Sequence, residues 1–118
     1  MLEMSWWVDL SDENGIVQVD RHSEGGTYAL GGTPQADLNI TYNYSEHYYK
    51  HLNEEEGLQW LHGKRAKDTI AALESAVNKL GTKTSSDYWK PTKGNAGYAL
   101  SILLSWARQY PEAVWDVS

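Results

Sequence analysis

The chain has no cysteine and no phenylalanine, only three prolines and two methionines. It also lacks any apolar run approaching the roughly 20 residues that span a bilayer. Without cysteine there is no disulfide staple, no thiolate nucleophile and no thiolate metal ligand. A formal net charge of −6 argues against general nucleic-acid binding, which needs a basic face for the phosphate backbone. The first residues carry no apolar signal segment. Together with the missing cysteines, this sets the expectation of a cytoplasmic, reducing setting with no membrane attachment.

What is present fits one soluble domain. At 118 residues, 41% of them apolar, the chain is long enough for a single core, and residues 1–118 read as one domain. Aromatic usage is skewed: six Trp and eight Tyr stand in for the absent Phe. Both side chains join a large apolar surface to a polar tip, which suits interfaces as well as cores.

Ser5–Leu10 reads as a strand, Asp12–Gly15 as a turn with an Asn-Gly signal, and Ile16–Val19 as the returning strand. Two Gly-Gly pairs, Gly25-Gly26 and Gly31-Gly32, bracket a short edge-strand candidate, Thr27–Leu30. From Ala36 to Tyr44 the pattern alternates, with Leu38, Ile40, Tyr42 and Tyr44 on one side and Asn39, Thr41 and Asn43 on the other. Ser45 is expected to cap a short helix running to Leu52, which Glu54–Gly57 ends. From Lys64, residues Ala66, Ile70, Leu73, Val77 and Leu80 recur at helical spacing, with Gly81 as the stop. A polar connection, residues 82–93, contains the pair Tyr88-Trp89. It leads into Pro91–Tyr110, the most apolar helical segment, whose narrow polar stripe is Ser101, Ser105 and Arg108 with Asn95 and Tyr98 at its upper end. Ala113–Val117 reads as a final strand.

These elements predict an α+β fold: an antiparallel sheet, made of the N-terminal strands plus the C-terminal strand, covered on one face by two main helices.

No catalytic constellation emerges. His47 and His51 share a helix face but lack a third ligand, so no metal and no cofactor is expected. Arg21, His22, Ser23 and Glu24, beside Gly25-Gly26, could line a polar pocket. The glycine-rich helix start Gly94–Gly97, with Lys93, could meet an anion, although it lacks the Lys-Ser/Thr ending of a phosphate loop. Asn39, Thr41, Asn43, Tyr88, Trp89 and Asn95 supply amides, a hydroxyl and flat rings, the materials of a ligand-binding surface. The leading expectation is therefore a non-enzymatic binding or interaction protein, with a small ligand, a protein partner or a second copy as its target. The alternative is a small enzyme or nucleotide-handling protein that uses the Arg21–Gly26 segment and the Gly94–Gly97 helix start.

Taken together, Trp6–Leu10, Gly25–Tyr28, Leu38–Tyr44, Asp87–Trp89, Thr92–Gly97 and the closing Trp-containing strand resemble small proteins of bacteria and their phages that have no established activity. The resemblance covers nearly the whole chain. It implies a bacterial or viral setting and brings no catalytic residues with it.

Overall fold

The computed structural model describes residues 5–22 and 33–118. The expected strand Thr27–Leu30, both Gly-Gly pairs, Ser23 and Glu24 lie outside the described residues. The chain is α+β, and its described residues form a four-stranded antiparallel sheet, a separate two-stranded ribbon and three α-helices.

The central strand is β1 (Ser5–Asp12), in which Trp6, Val8 and Leu10 alternate with Trp7, Asp9 and Ser11. At its end Asp12 Oδ1 accepts the Asn14 N–H at 2.8 Å, and Gly15 takes φ +110°. That positive φ turns the chain into β2 (Gly15–Ile16), as the Asn-Gly signal predicts. The next strand, β3 (Gln18–His22), leaves the sheet to pair with β4 (Thr33–Gln35). β5 (Asp37–Thr41) then returns along β1, pairing Trp7 with Asn39 and Asp9 with Asp37. The C-terminal strand β6 (Val114–Val117) pairs Asp9 with Asp116 and Leu10 with Trp115. Because Val8 and Asp9 pair with both β5 and β6, those strands flank β1 on opposite edges.

Strand alternation gives the sheet two unlike faces. Val8, Leu10, Leu38, Ile40, Trp115 and Val117 are all buried on one face. They share a single core with Leu73 and Leu80 of α2 (Ile70–Leu80) and with Leu100, Leu103 and Trp106 of α3 (Lys93–Gln109). Thr69, at the start of α2, accepts the Trp115 indole N–H at 2.9 Å inside this core. The other face leaves Trp7 and Val114 exposed.

Several boundaries differ from the sequence expectation, beginning with the returning strand expected over Ile16–Val19, which is split between β2 and β3. The helix expected from Lys64 starts only at Ile70, because residues 63–66 are drawn onto the outer edge of β6. Gly63 N–H donates to Trp115 C=O, Trp115 N–H to Lys64 C=O, and Ala66 N–H to Ala113 C=O, at 2.8–3.0 Å. Pairing that edge satisfies backbone groups a helix would have left unmet.

The strand expected to reach Tyr44 ends at Thr41, whose hydroxyl accepts the Asn43 N–H at 3.2 Å and caps a 3-10 turn, Tyr42–Tyr44. Tyr42 is consequently exposed while Tyr44 is fully buried, so the two do not share a face. α1 (Ser45–His51) follows without the expected Ser45 cap, since the Ser45 hydroxyl donates back to Tyr42 C=O at 2.6 Å.

α3 presents Ser105 and Arg108 to solvent with Ser101 half-buried, as its pattern predicts. Asn95 is buried instead of lying on the polar stripe. Its glycines explain the close approach of the neighbouring chain. A Cβ at Gly97 would lie 1.8 Å from the Gly81 carbonyl oxygen, and one at Gly94 equally close to that of Lys83. Arg108 forms an ion pair with Glu74, joining α3 to α2 at their exposed edge.

Candidate functional site

The residues singled out from the sequence converge on one end of the sheet, where the long connection between α2 and α3 meets β5 and α1. The connection has no regular structure of its own, yet buried side chains hold it in place. Asn95 does most of this: its Oδ1 accepts the Ser85 N–H at 2.8 Å, and its Nδ2 donates to the carbonyls of Asp87 and Lys90, each at 3.0 Å. A fully buried amide with three such bonds acts as a clasp, because it joins three points of the connection; the Asp87 and Lys90 carbonyls also accept the Lys90 and Thr92 N–H groups, so the Ser85 N–H is the group that depends on it most.

Other contacts complete the clamp. Asn43 Nδ2 donates to Trp89 C=O at 2.8 Å, Trp89 N–H donates to Asp87 Oδ1 at 3.1 Å, and the Tyr44 hydroxyl donates to Tyr88 C=O. His47 Nε2 lies 2.8 Å from Pro91 C=O. Tyr88 fills the outer edge of β5. Its phenol accepts the Thr41 N–H and donates to Asn39 C=O, each at 3.1 Å, in the place a further strand would occupy.

Burial raises the Tyr88 phenol above its ordinary value, opposed by the Thr41 N–H, and raises that of Tyr48 well above it. Both therefore act as neutral donors. Tyr48 uses its proton on the Ala96 carbonyl at 3.0 Å, tying α1 to the first turn of α3.

Rings run through this end as a connected series. Tyr42 packs edge-on against Trp6 at 4.7 Å, Trp6 reaches Tyr48 at 5.9 Å, and Tyr48 meets Tyr44 at 6.3 Å. Tyr44 meets Tyr88 at 5.7 Å, and Tyr88 meets Trp89 at 4.9 Å. The two ends of the series, Tyr42 and Trp89, emerge into solvent, and Trp89 is 49% exposed. Edge-to-face contacts of this kind add to simple burial and restrict the rings.

Asn39, Thr41, Asn43, Tyr88, Trp89 and Asn95 thus come together, but by different routes from the shared strand face. Asn39 lies on the open face of the sheet, with Nδ2 donating to Ser5 Oγ at 2.8 Å and Trp6 C=O at 3.3 Å. Thr41 is buried as a cap, Asn43 sits in the 3-10 turn, and Asn95 lies beneath the connection. Most of their polar atoms serve the fold, which leaves the Trp89 ring as the group turned outward.

The other candidates are placed as follows. Gly94 and Gly97 face backbone carbonyls, and the Thr92 hydroxyl accepts the Asn95 N–H at 3.1 Å. The helix start is thereby occupied by packing and its own cap. Of the polar segment, Arg21 and His22 close β3. His47 faces Pro91, while among the described residues His51 Nε2 is out of contact with water and has no hydrogen-bond partner. Burial, then Lys50, Lys79, Lys93 and His47, lower the His51 pKa, so its neutral form is favoured. Among the described residues, no group of three or more His, Asp or Glu is arranged to hold a metal ion.

A concavity of about 710 Å³ lies elsewhere, between Ser11, Asp12, Arg65, Tyr110 and Glu112. It is a shallow cleft in which Arg65 already pairs with Glu112 at 3.2 Å. No described helix is long and apolar enough to cross a membrane.

Sequence reading missed the clasp role of Asn95 and the edge-filling role of Tyr88. Their only advance signal was an unusually long connection ending at a polar residue one turn inside an apolar helix. Compared with family models, curated proteins and solved structures, the chain finds no match.

Proposed function

We propose that the chain is a non-enzymatic binding protein that works in a cytoplasmic bacterial or phage setting and engages a protein partner through Trp89 and its surroundings. The observation that carries this reading is the pairing of a half-exposed indole with a fully clamped backbone. Anchor residues at interfaces are enriched in Trp and Tyr, and affinity gains most when such anchors are ordered before the partner arrives. A connection held only for the sake of the fold would have no need to present an indole outward. Tyr42, the exposed far end of the ring series, extends the same surface.

The test is selection from a displayed peptide library against the full chain, followed by affinity measurement on wild type and Trp89→Ala. The reading expects selected peptides to lose at least about tenfold in affinity on the variant, the scale of an interface hot spot, with the melting temperature nearly unchanged. An unproductive selection, or ligands indifferent to Trp89, would refute it.

A further inference from the structure

The face of the sheet turned away from α2 and α3 carries a pattern that the fold does not explain. Trp7, 45% exposed, stands on this face opposite Asn39. Two residues further along β1, Asp37, Asp9 and Asp116 lie side by side on three adjacent strands, each in register with the next. With strands about 4.8 Å apart, the three carboxylates form a row about 10 Å long, and the indole lies about 7 Å from it along the strand.

Like charges directly opposite one another in a sheet oppose folding, and among the described residues nothing compensates this row. Among the described residues no cation pairs with Asp9 or Asp37. His62 Nδ1 lies 3.5 Å from Asp116, but the same nitrogen accepts the Val117 N–H at 3.1 Å, so it carries no proton to donate to the carboxylate. Arg65, beside Val114 at the next rung, is occupied by Glu112. Partial burial, then Asp116 and Asp37, raise the Asp9 carboxyl above its ordinary value, while Ser11 opposes the rise.

We propose that this face docks a basic peptide segment of a partner protein, with an arginine or lysine side chain across Trp7 and its charge set against the Asp37–Asp9–Asp116 row. The inference deepens the binding reading above and rests on it. Charge complementarity selects the occupant. An indole face attracts a cation, and a guanidinium fork matches carboxylates. A bare divalent ion needs oxygens converging on one point, whereas these are spread along a row and form no such group. A second copy would bring the same acidic row and the same net charge of −6 against it.

The experiment is a titration of the full 15N-labelled chain with an octapeptide of alternating Arg and Ser, and with its Gln-for-Arg counterpart. The readout is the Trp7 indole N–H signal, at about 0.05 and 0.15 M salt. The Arg peptide is expected to shift that signal saturably, more weakly at the higher salt, and the Gln peptide is expected to leave it in place. Trp7→Ala and Asp9→Asn should each weaken binding at least fivefold, and Asp9→Asn relieves repulsion, so it should fold. No shift, an equal response to the Gln peptide, or binding indifferent to both variants overturns the proposal. So does a Trp7 response to calcium chloride alone or to protein concentration alone, in place of the Arg peptide. If library ligands still depend on Trp89 while the Arg peptide fails, this inference alone falls; if both fail, the binding reading falls with it.

Discussion

Asn95 shows how one side chain can decide the character of a whole segment. Its type and position were visible in the sequence, but an amide one turn inside a helix reads equally well as part of a polar stripe. Only the folded chain brings Ser85, Asp87 and Lys90 around it. Replacing Asn95 with Ala removes three hydrogen bonds, leaves the Ser85 N–H without its acceptor and opens a gap where the fully buried amide sat. It should destabilise the protein by about 2–3 kcal/mol, the cost of unpaired buried polar groups. Urea unfolding measures this directly. A loss below about 0.5 kcal/mol would mean that water replaces the amide readily, and that the connection is not clasped. Tyr88 was equally opaque. Its ring predicts burial, yet nothing local says that its phenol completes the edge of a strand about 50 residues away in sequence (Tyr88 Oη to Asn39 C=O).

At the level of elements, legibility follows how local the deciding physics is. The turn of the β1–β2 hairpin is set by a local Asn-Gly signal and was readable, whereas the returning strand expected over Ile16–Val19 pairs with β1 only at Gly15–Ile16 before the chain leaves for β4. The terminal strand and the apolar body of α3 were readable for the same reason. The false start of α2 at Lys64 arose because the helical period is real, while the backbone of residues 63–66 is claimed by β6, a strand about 50 residues later. The overlong β5 has a similar cause: alternation continues through Tyr44, but the Thr41 cap ends the strand.

Packing between elements carries its own prediction. Gly97 of α3 lies against the end of α2, and Gly97→Ala would place a methyl group 1.8 Å from the Gly81 carbonyl oxygen. Backbone cannot yield there without separating the helices, so a loss of about 1–3 kcal/mol is expected from overpacking. Thermal unfolding at unchanged or higher stability would show that the helices do not approach so closely.

For the whole molecule, the two faces of the sheet divide the work. One face, with α2 and α3, makes the core; the other carries the exposed Trp7 and its carboxylate row, and the clamped connection presents Trp89 at the end of the sheet. The candidate surface was legible as a set of residues and not as an arrangement. Composition showed aromatic excess and acidity, but which rings stay outside depends on strand parity and on the clamp. The most direct measurement of the central claim is a map of the six tryptophan indole signals on addition of a library-selected ligand. The account predicts that Trp89 moves most, while the core indoles Trp106 and Trp115 stay fixed. A map in which Trp89 is silent and the ligand instead disturbs the Ser11–Glu112 cleft would contradict it.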